Sequence, residues 1–358
     1  MLHPAQMIPT QLKLFACVLA FFSGLAAAAE KTGAYYGGKP TEYPAWFKDS
    51  FLNLKEDIAE AKTHNKRVMI FFTQDNCPYC NVLIERNLAQ KEIDTYLRKH
   101  FEVIAINMWG DREVVSLENE KLTEKSFATS LKVQYTPTLI FFNEAGKTVL
   151  RLNGYLQPAK FKTALEYVAQ HKENEMTYRD YLAAHQPAVA DGALIQQDFF
   201  KPAPYNLSRK GKAAKPVAVF FEQKDCPDCA VLHRQVLPDK ETRDTLAKFD
   251  VFQLDMWSEM PLITPQGKKT TARQWAKELD VKYAPSILVF NPQGKEIIRS
   301  EAFFKVFHTQ GLLAYVLSGA YKKEPSFQRY LSARAEHLRE QGKDIDIWRM
   351  ADEPIGPK

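Results

Sequence analysis

The sequence Phe71-Phe72-Thr73-Gln74-Asp75-Asn76-Cys77-Pro78-Tyr79-Cys80 returns 149 positions later as Phe220-Phe221-Glu222-Gln223-Lys224-Asp225-Cys226-Pro227-Asp228-Cys229. A chain that carries one apolar run and one Cys-Pro-x-Cys twice must build the same local device twice. In each copy the run at residues 68–72 or 217–221 reads as a buried strand, and a few polar residues lead into a helical pattern. The first Cys falls at the helix cap and Pro at the first helical position, where a missing N–H costs nothing. The second Cys lies one turn on, on the same face. This spacing lets the sulfurs pair, and the free N–H groups of the helix start favour thiolate at Cys77 and Cys226.

The repeat reaches well beyond the cysteines. Val133-Gln134-Tyr135-Thr136-Pro137-Thr138 matches Val281-Lys282-Tyr283-Ala284-Pro285-Ser286, and the Pro lies 60 and 59 positions after the first Cys of its copy. Each match is followed by an apolar strand and a turn ending in Gly146-Lys147 or Gly294-Lys295. Asn107-Met108-Trp109 matches Asp255-Met256-Trp257, and residues 151–168 match 299–316 without a gap. A period near 149 residues is a domain, since solenoid repeats are far shorter.

Strand, Cys-x-x-Cys helix, strand, helix and a strand entered through Pro is the order of a thioredoxin-like domain, and both halves resemble that family over residues 46–169 and 216–320. The Met-Trp segment after the central strand and the polar stretch that follows resemble, within it, periplasmic thioredoxin-like proteins associated with bacterial sulfur oxidation. The resemblance implies an α/β fold of two tandem thioredoxin-like domains, each a central mixed sheet flanked by helices. It also implies that Pro137 and Pro285 are cis beside the dithiols, and that Thr136, Pro137, Ala284 and Pro285 form the edges that hold substrate. Two departures are visible. The Trp that usually precedes the first Cys is Asn76 or Asp225, and the usual buried Asp six residues before it is Phe71 or Phe220.

Length and composition agree with two globular units: 358 residues, 45% hydrophobic and 25% charged. The net charge of +5 comes from 48 basic and 43 acidic residues interspersed along the chain. No basic stripe interleaved with aromatics points to nucleic acid. Lys13, the apolar run 14–25 and the small residues Ala26 to Ala29 read as a secretory signal peptide over 1–29, cleaved near Ala29, and hence as export to the periplasm. Removing the leader takes away Cys17 and leaves four cysteines, all in the two pairs. The domains are expected at 30–186 and 205–358, the second ending in a C-terminal helix and tail, with a linker at 187–204. After each copy Thr177 and Ser326 can cap a further helix. That helix either packs on its own domain, or fixes the angle between the two domains or mediates dimerisation.

The expected function is thiol–disulfide exchange at Cys77, Cys80, Cys226 and Cys229, of the reductase or isomerase type, with no cofactor. The partners expected are disulfide-containing client proteins and a membrane thiol donor or oxidant. A polypeptide-binding scaffold with inert dithiols, or metal handling by the Cys pairs, is the alternative. Structural zinc sites join two Cys pairs over a short spacer, whereas these belong to separate domains, so no metal site is assigned. His233, one turn after Cys229, reads as an exposed helix residue. Pro78, Tyr79, Pro227 and Asp228 lie between the thiols and tune them. The Asp228 carboxylate disfavours thiolate, which predicts that the second site is the more reducing one.

Overall fold

The computed structural model describes residues 32–185, 192–209, 215–301 and 303–356; the signal peptide expected at 1–29 lies outside them. Seven consecutive buried residues make Arg67–Thr73 the centre of the first sheet. Met69 and Phe71 point into one core while Val68, Ile70 and Phe72 point into another, as alternation along a strand requires. This strand pairs parallel with Phe101–Asn107 and antiparallel with Thr138–Phe142, which carries Thr148–Asn153 on its far edge. The second sheet repeats the order: Val217–Glu222 lies between Asp250–Asp255 and Ser286–Phe290, and Glu296–Ser300 closes the edge. Both are mixed sheets flanked by helices, as expected.

The copies differ at their entrances. A helix, Leu54–Thr63, precedes the first central strand. The second copy has the two-residue strand Tyr205–Asn206 there, and no helix among the described residues between 192 and 217. The linker expected at 187–204 packs against the second domain over its described residues. Phe200 packs edge-on against Phe220 at 5.5 Å, the Lys201 amide donates to Val251 O, and Gln253 reaches back to Ile195 O. Burial of Phe199 and Phe200 against the second core explains why this segment belongs to that domain.

The added helices, Tyr178–Ala184 and Phe327–Glu340, start at Thr177 and Ser326, whose hydroxyls accept from the Asp180 and Arg329 amides. They pack on their own domains and also cross to the other. Arg179 donates to Met256 O and lies 4.2 Å over the Trp257 ring, and Arg329 lies 5.2 Å over Trp109. Each helix thus clamps the Met-Trp segment of the opposite copy, which sets the angle between domains.

Tyrosines at equivalent positions complete the contact. Tyr135 Oη donates to Arg299 O at 3.1 Å and Tyr283 Oη to Asn153 O at 3.2 Å. Burial pushes both phenols up, so they stay protonated donors at physiological pH. The N-terminal lead-in joins the far end of the chain, since Tyr35–Tyr36 pairs parallel with Ile345–Asp346. One hydrophobic core therefore includes Phe141 and Phe161 of the first copy with Phe220, Leu312 and Phe327 of the second.

A core shared in this way predicts one cooperative transition in urea, followed by tryptophan fluorescence. Phe220→Ala should shift the whole transition by about 3–5 kcal/mol, and Phe51→Ala, at an exposed position, by under about 0.5 kcal/mol. Two separated transitions contradict the shared core.

Candidate active site

Each central strand ends one short turn before its dithiol helix. Asn76 and Asp225 adopt positive φ of 53° and 47°, which turns the chain so that Cys77 and Cys226 cap the helices Pro78–Val82 and Pro227–Gln235. The Cys80 and Cys229 amides donate to the first sulfur of their pair at 3.2 and 3.1 Å. Both pairs are disulfides, with S–S distances of 2.05 and 2.07 Å. The peptides Thr136–Pro137 and Ala284–Pro285 are cis. Since a disulfide sulfur has no proton, the Thr136 hydroxyl donates to Cys77 Sγ at 3.2 Å; Ala284 offers the second site no such donor.

The opposite domain covers Tyr79 at the first site and the Ala284–Pro285 edge at the second. Tyr79 is buried beneath Phe304, His308 and Trp348, with ring centroids 6.1, 5.1 and 5.1 Å away, and its hydroxyl accepts from the Lys305 amide. Lys305 Nζ in turn donates to Trp348 O and lies 4.0 Å over that ring. At the second site Tyr155, Leu156 and Gln157 of the first domain face Ala284 and Pro285, leaving a space of only about 20 Å³. Cys77 is 1% exposed and Cys226 8%, so the helix-start cysteines are covered where an open edge was expected.

Two further expectations are corrected. The Asp228 carboxylate is not free, because Lys160 Nζ of the first domain sits 2.6 Å from it and also donates to Ala284 O at 3.2 Å. The Lys160 ammonium therefore offsets the charge that was expected to make the second site the more reducing one. His233 is buried, not exposed; its Nε2 lies 2.9 and 3.0 Å from the Glu222 oxygens, and Gln253 donates to the same carboxylate. The ring points to this buried group, which sequence reading missed. Glu222 shares the strand face of Phe220, two residues further along the strand, so this strand does carry a buried carboxylate although the usual position is Phe.

Lys160 and His308 were also missed. Their signal is the gap-free match of 151–168 to 299–316, which places them at equivalent positions. Each faces the residue between the thiols of the opposite domain: a cation against Asp228, an imidazole edge-on against Tyr79. Burial lowers His308 to a pKa of about 4, so it is neutral at pH 7. Among the described residues no group of three or more His, Cys, Asp and Glu is arranged to hold a metal ion, and no helix is long and apolar enough to cross a membrane. A cavity of about 530 Å³ is lined by residues that include Lys132, Arg151, Arg299 and Tyr315, with no cysteine among them.

The profile of a family described as a thioredoxin-like domain matches residues 54–169 and 205–331. No curated protein matches the chain. Among solved structures, a thioredoxin-fold protein from Helicobacter pylori is 23% identical, with 38% of this chain and 92% of that one covered and a TM-score of 0.30. A thioredoxin from Thermus thermophilus is 24% identical, covering 38% and 87%, with a TM-score of 0.26. The C-terminal domain of Neisseria meningitidis DsbD in its oxidised form is 20% identical, covering 35% and 98%, also with a TM-score of 0.26.

The His308 site has a pH signature. Its folded pKa of about 4 lies below the unfolded value near 6.5, so the unfolded chain binds the extra proton first as pH falls. The stabilising contribution is complete above pH 6.5 and is lost on acidification toward 4, by about 2 kcal/mol at pH 5. Urea unfolding at pH 7 and pH 5 should show this loss in the wild type and a smaller one in His308→Gln. Equal losses contradict a buried neutral imidazole.

Proposed function

The chain belongs to the thioredoxin-like family, with two copies of its domain, and we propose that it is a periplasmic thiol–disulfide oxidoreductase working through Cys77–Cys80 and Cys226–Cys229. The observation that carries this reading is the arrangement found twice: a disulfide-bonded Cys pair opening a helix beside a cis-Pro strand. The helix start stabilises thiolate on the first sulfur, and the second sulfur one turn on is placed to resolve.

In the reducing direction the Cys77 or Cys226 thiolate attacks a client disulfide, forming a mixed disulfide and releasing one client thiolate. Cys80 or Cys229 then attacks the first sulfur, which re-forms the internal disulfide and releases the second client thiol. Two electrons pass to the client, and a thiol donor at the membrane restores the dithiol. Thr136 and Ala284, with Pro137 and Pro285, hold the client strand by backbone pairing once the opposite domain has moved off the edge. The partners are disulfide-containing proteins, not nucleic acid. The apolar run at 14–25 with its small-residue end supports export.

A scaffold with inert dithiols is the second reading, favoured by the burial of Cys77 and of both edges. An insulin-reduction assay with the whole chain and dithiothreitol separates the two. The redox reading expects acceleration that falls to the buffer rate in a Cys77→Ala, Cys226→Ala variant. It also expects mixed disulfides with exported proteins to accumulate on a Cys80→Ala, Cys229→Ala variant. Wild-type protein that leaves insulin at the buffer rate, together with a Cys80→Ala, Cys229→Ala variant that traps nothing, supports the scaffold.

A further inference from the structure

We propose that Lys160, on the first domain, is a positioning residue that sets the redox poise of the second dithiol by compensating the charge of Asp228. The inference rests on the redox reading above and adds a regulatory element to it. Asp228 stands between the two thiols of the second pair, and its only ion-pair partner among the described residues comes from the other domain. The contact is 2.6 Å, with side chains 21% and 19% exposed, so water screens it only in part. The same Nζ donates to Ala284 O, which ties the charge to the residue beside cis Pro285.

The repeat supplies its own comparison. His308 occupies the equivalent position opposite the first dithiol and faces Tyr79, a neutral ring. A compensating charge from the opposite domain is thus built at one site and not at the other, and the residue pairs match: cation with carboxylate, imidazole with phenol.

The consequence follows from the balance of the reaction. Reduction of Cys226–Cys229 takes two electrons and two protons from two reagent thiols and gives a dithiol and a reagent disulfide. The dithiol is stabilised by whatever favours its thiolate, so a bare Asp228 carboxylate pushes the couple toward disulfide and a Lys160 ammonium pushes it back. The compensation exists only while the domains are docked. Because coupling is reciprocal, reduction of the second site favours docking and oxidation favours release.

The experiment equilibrates the full-length chain in glutathione buffers of graded ratio, quenches in acid, and counts free and bonded Cys226 and Cys229 by differential alkylation and mass spectrometry. Cys77 and Cys80 in the same sample serve as the internal reference. Lys160→Met, which keeps an aliphatic stem in place, should shift the second couple about fivefold toward disulfide, and Asp228→Asn about fivefold toward dithiol. The double variant should return to within about twofold of wild type, because the two charges cancel, and Lys160→Arg should stay near wild type. A double variant that follows Lys160→Met overturns the proposal, since that outcome means loss of docking and not of charge. An unshifted Lys160→Met overturns it as well. If neither Cys pair responds to the buffer in the wild type, the redox reading falls first and takes this inference with it.

Discussion

Each domain covers the other's dithiol with the segment that follows its own last strand, and most features of the molecule depend on this reciprocal docking. Residues 155–160 of the first domain meet Asp228 and Ala284, and Phe304, Lys305 and His308 of the second meet Tyr79. Two tyrosine hydroxyls, two helices reaching across to the Met-Trp segments, and the pairing of Tyr35–Tyr36 with Ile345–Asp346 hold the arrangement. A surface that can bind an extended client edge is apolar and rich in unpaired backbone groups, so it is costly to leave open to water. Duplication gives each copy a matching surface to place there.

The two contacts are built from different physics. At the first site an aromatic cage of Phe304, His308 and Trp348 encloses Tyr79, and a tail bonded through Lys305 and Arg349 closes over it. At the second an ion pair lies across the edge, and Cys226 is slightly more exposed than Cys77. Apolar burial is not weakened by charge screening, whereas a partly exposed ion pair weakens as ionic strength rises. The second edge is therefore the one that conditions loosen first.

Much of the fold was legible because its signals are local. Phe71-Phe72 before Cys77-Pro78, the matching Tyr-Thr-Pro and Tyr-Ala-Pro, and the caps at Thr177 and Ser326 each carry their own structural instruction within a few residues. The contacts between domains are not local, and there the reading was incomplete. Asp228 looked like an isolated carboxylate because Lys160 is 68 residues away in sequence. His233 looked like a surface residue because Glu222 lies on a different element and only the fold brings the two together. The register of the repeat did place Lys160 and His308 as equivalents, but using it required knowing that the copies face each other across their dithiols.

Mutual docking covers both dithiols, and the kinetics of their reduction by an external thiol show whether it gates them. Rapid-quench measurement of Cys77–Cys80 reduction against rising dithiothreitol should reach a plateau, because opening becomes limiting once the thiol is in excess. The plateau should rise in Trp348→Ala, where the cover over Tyr79 is thinned. A rate that climbs in proportion to thiol concentration without levelling, and is unchanged in Trp348→Ala, contradicts gating by docking.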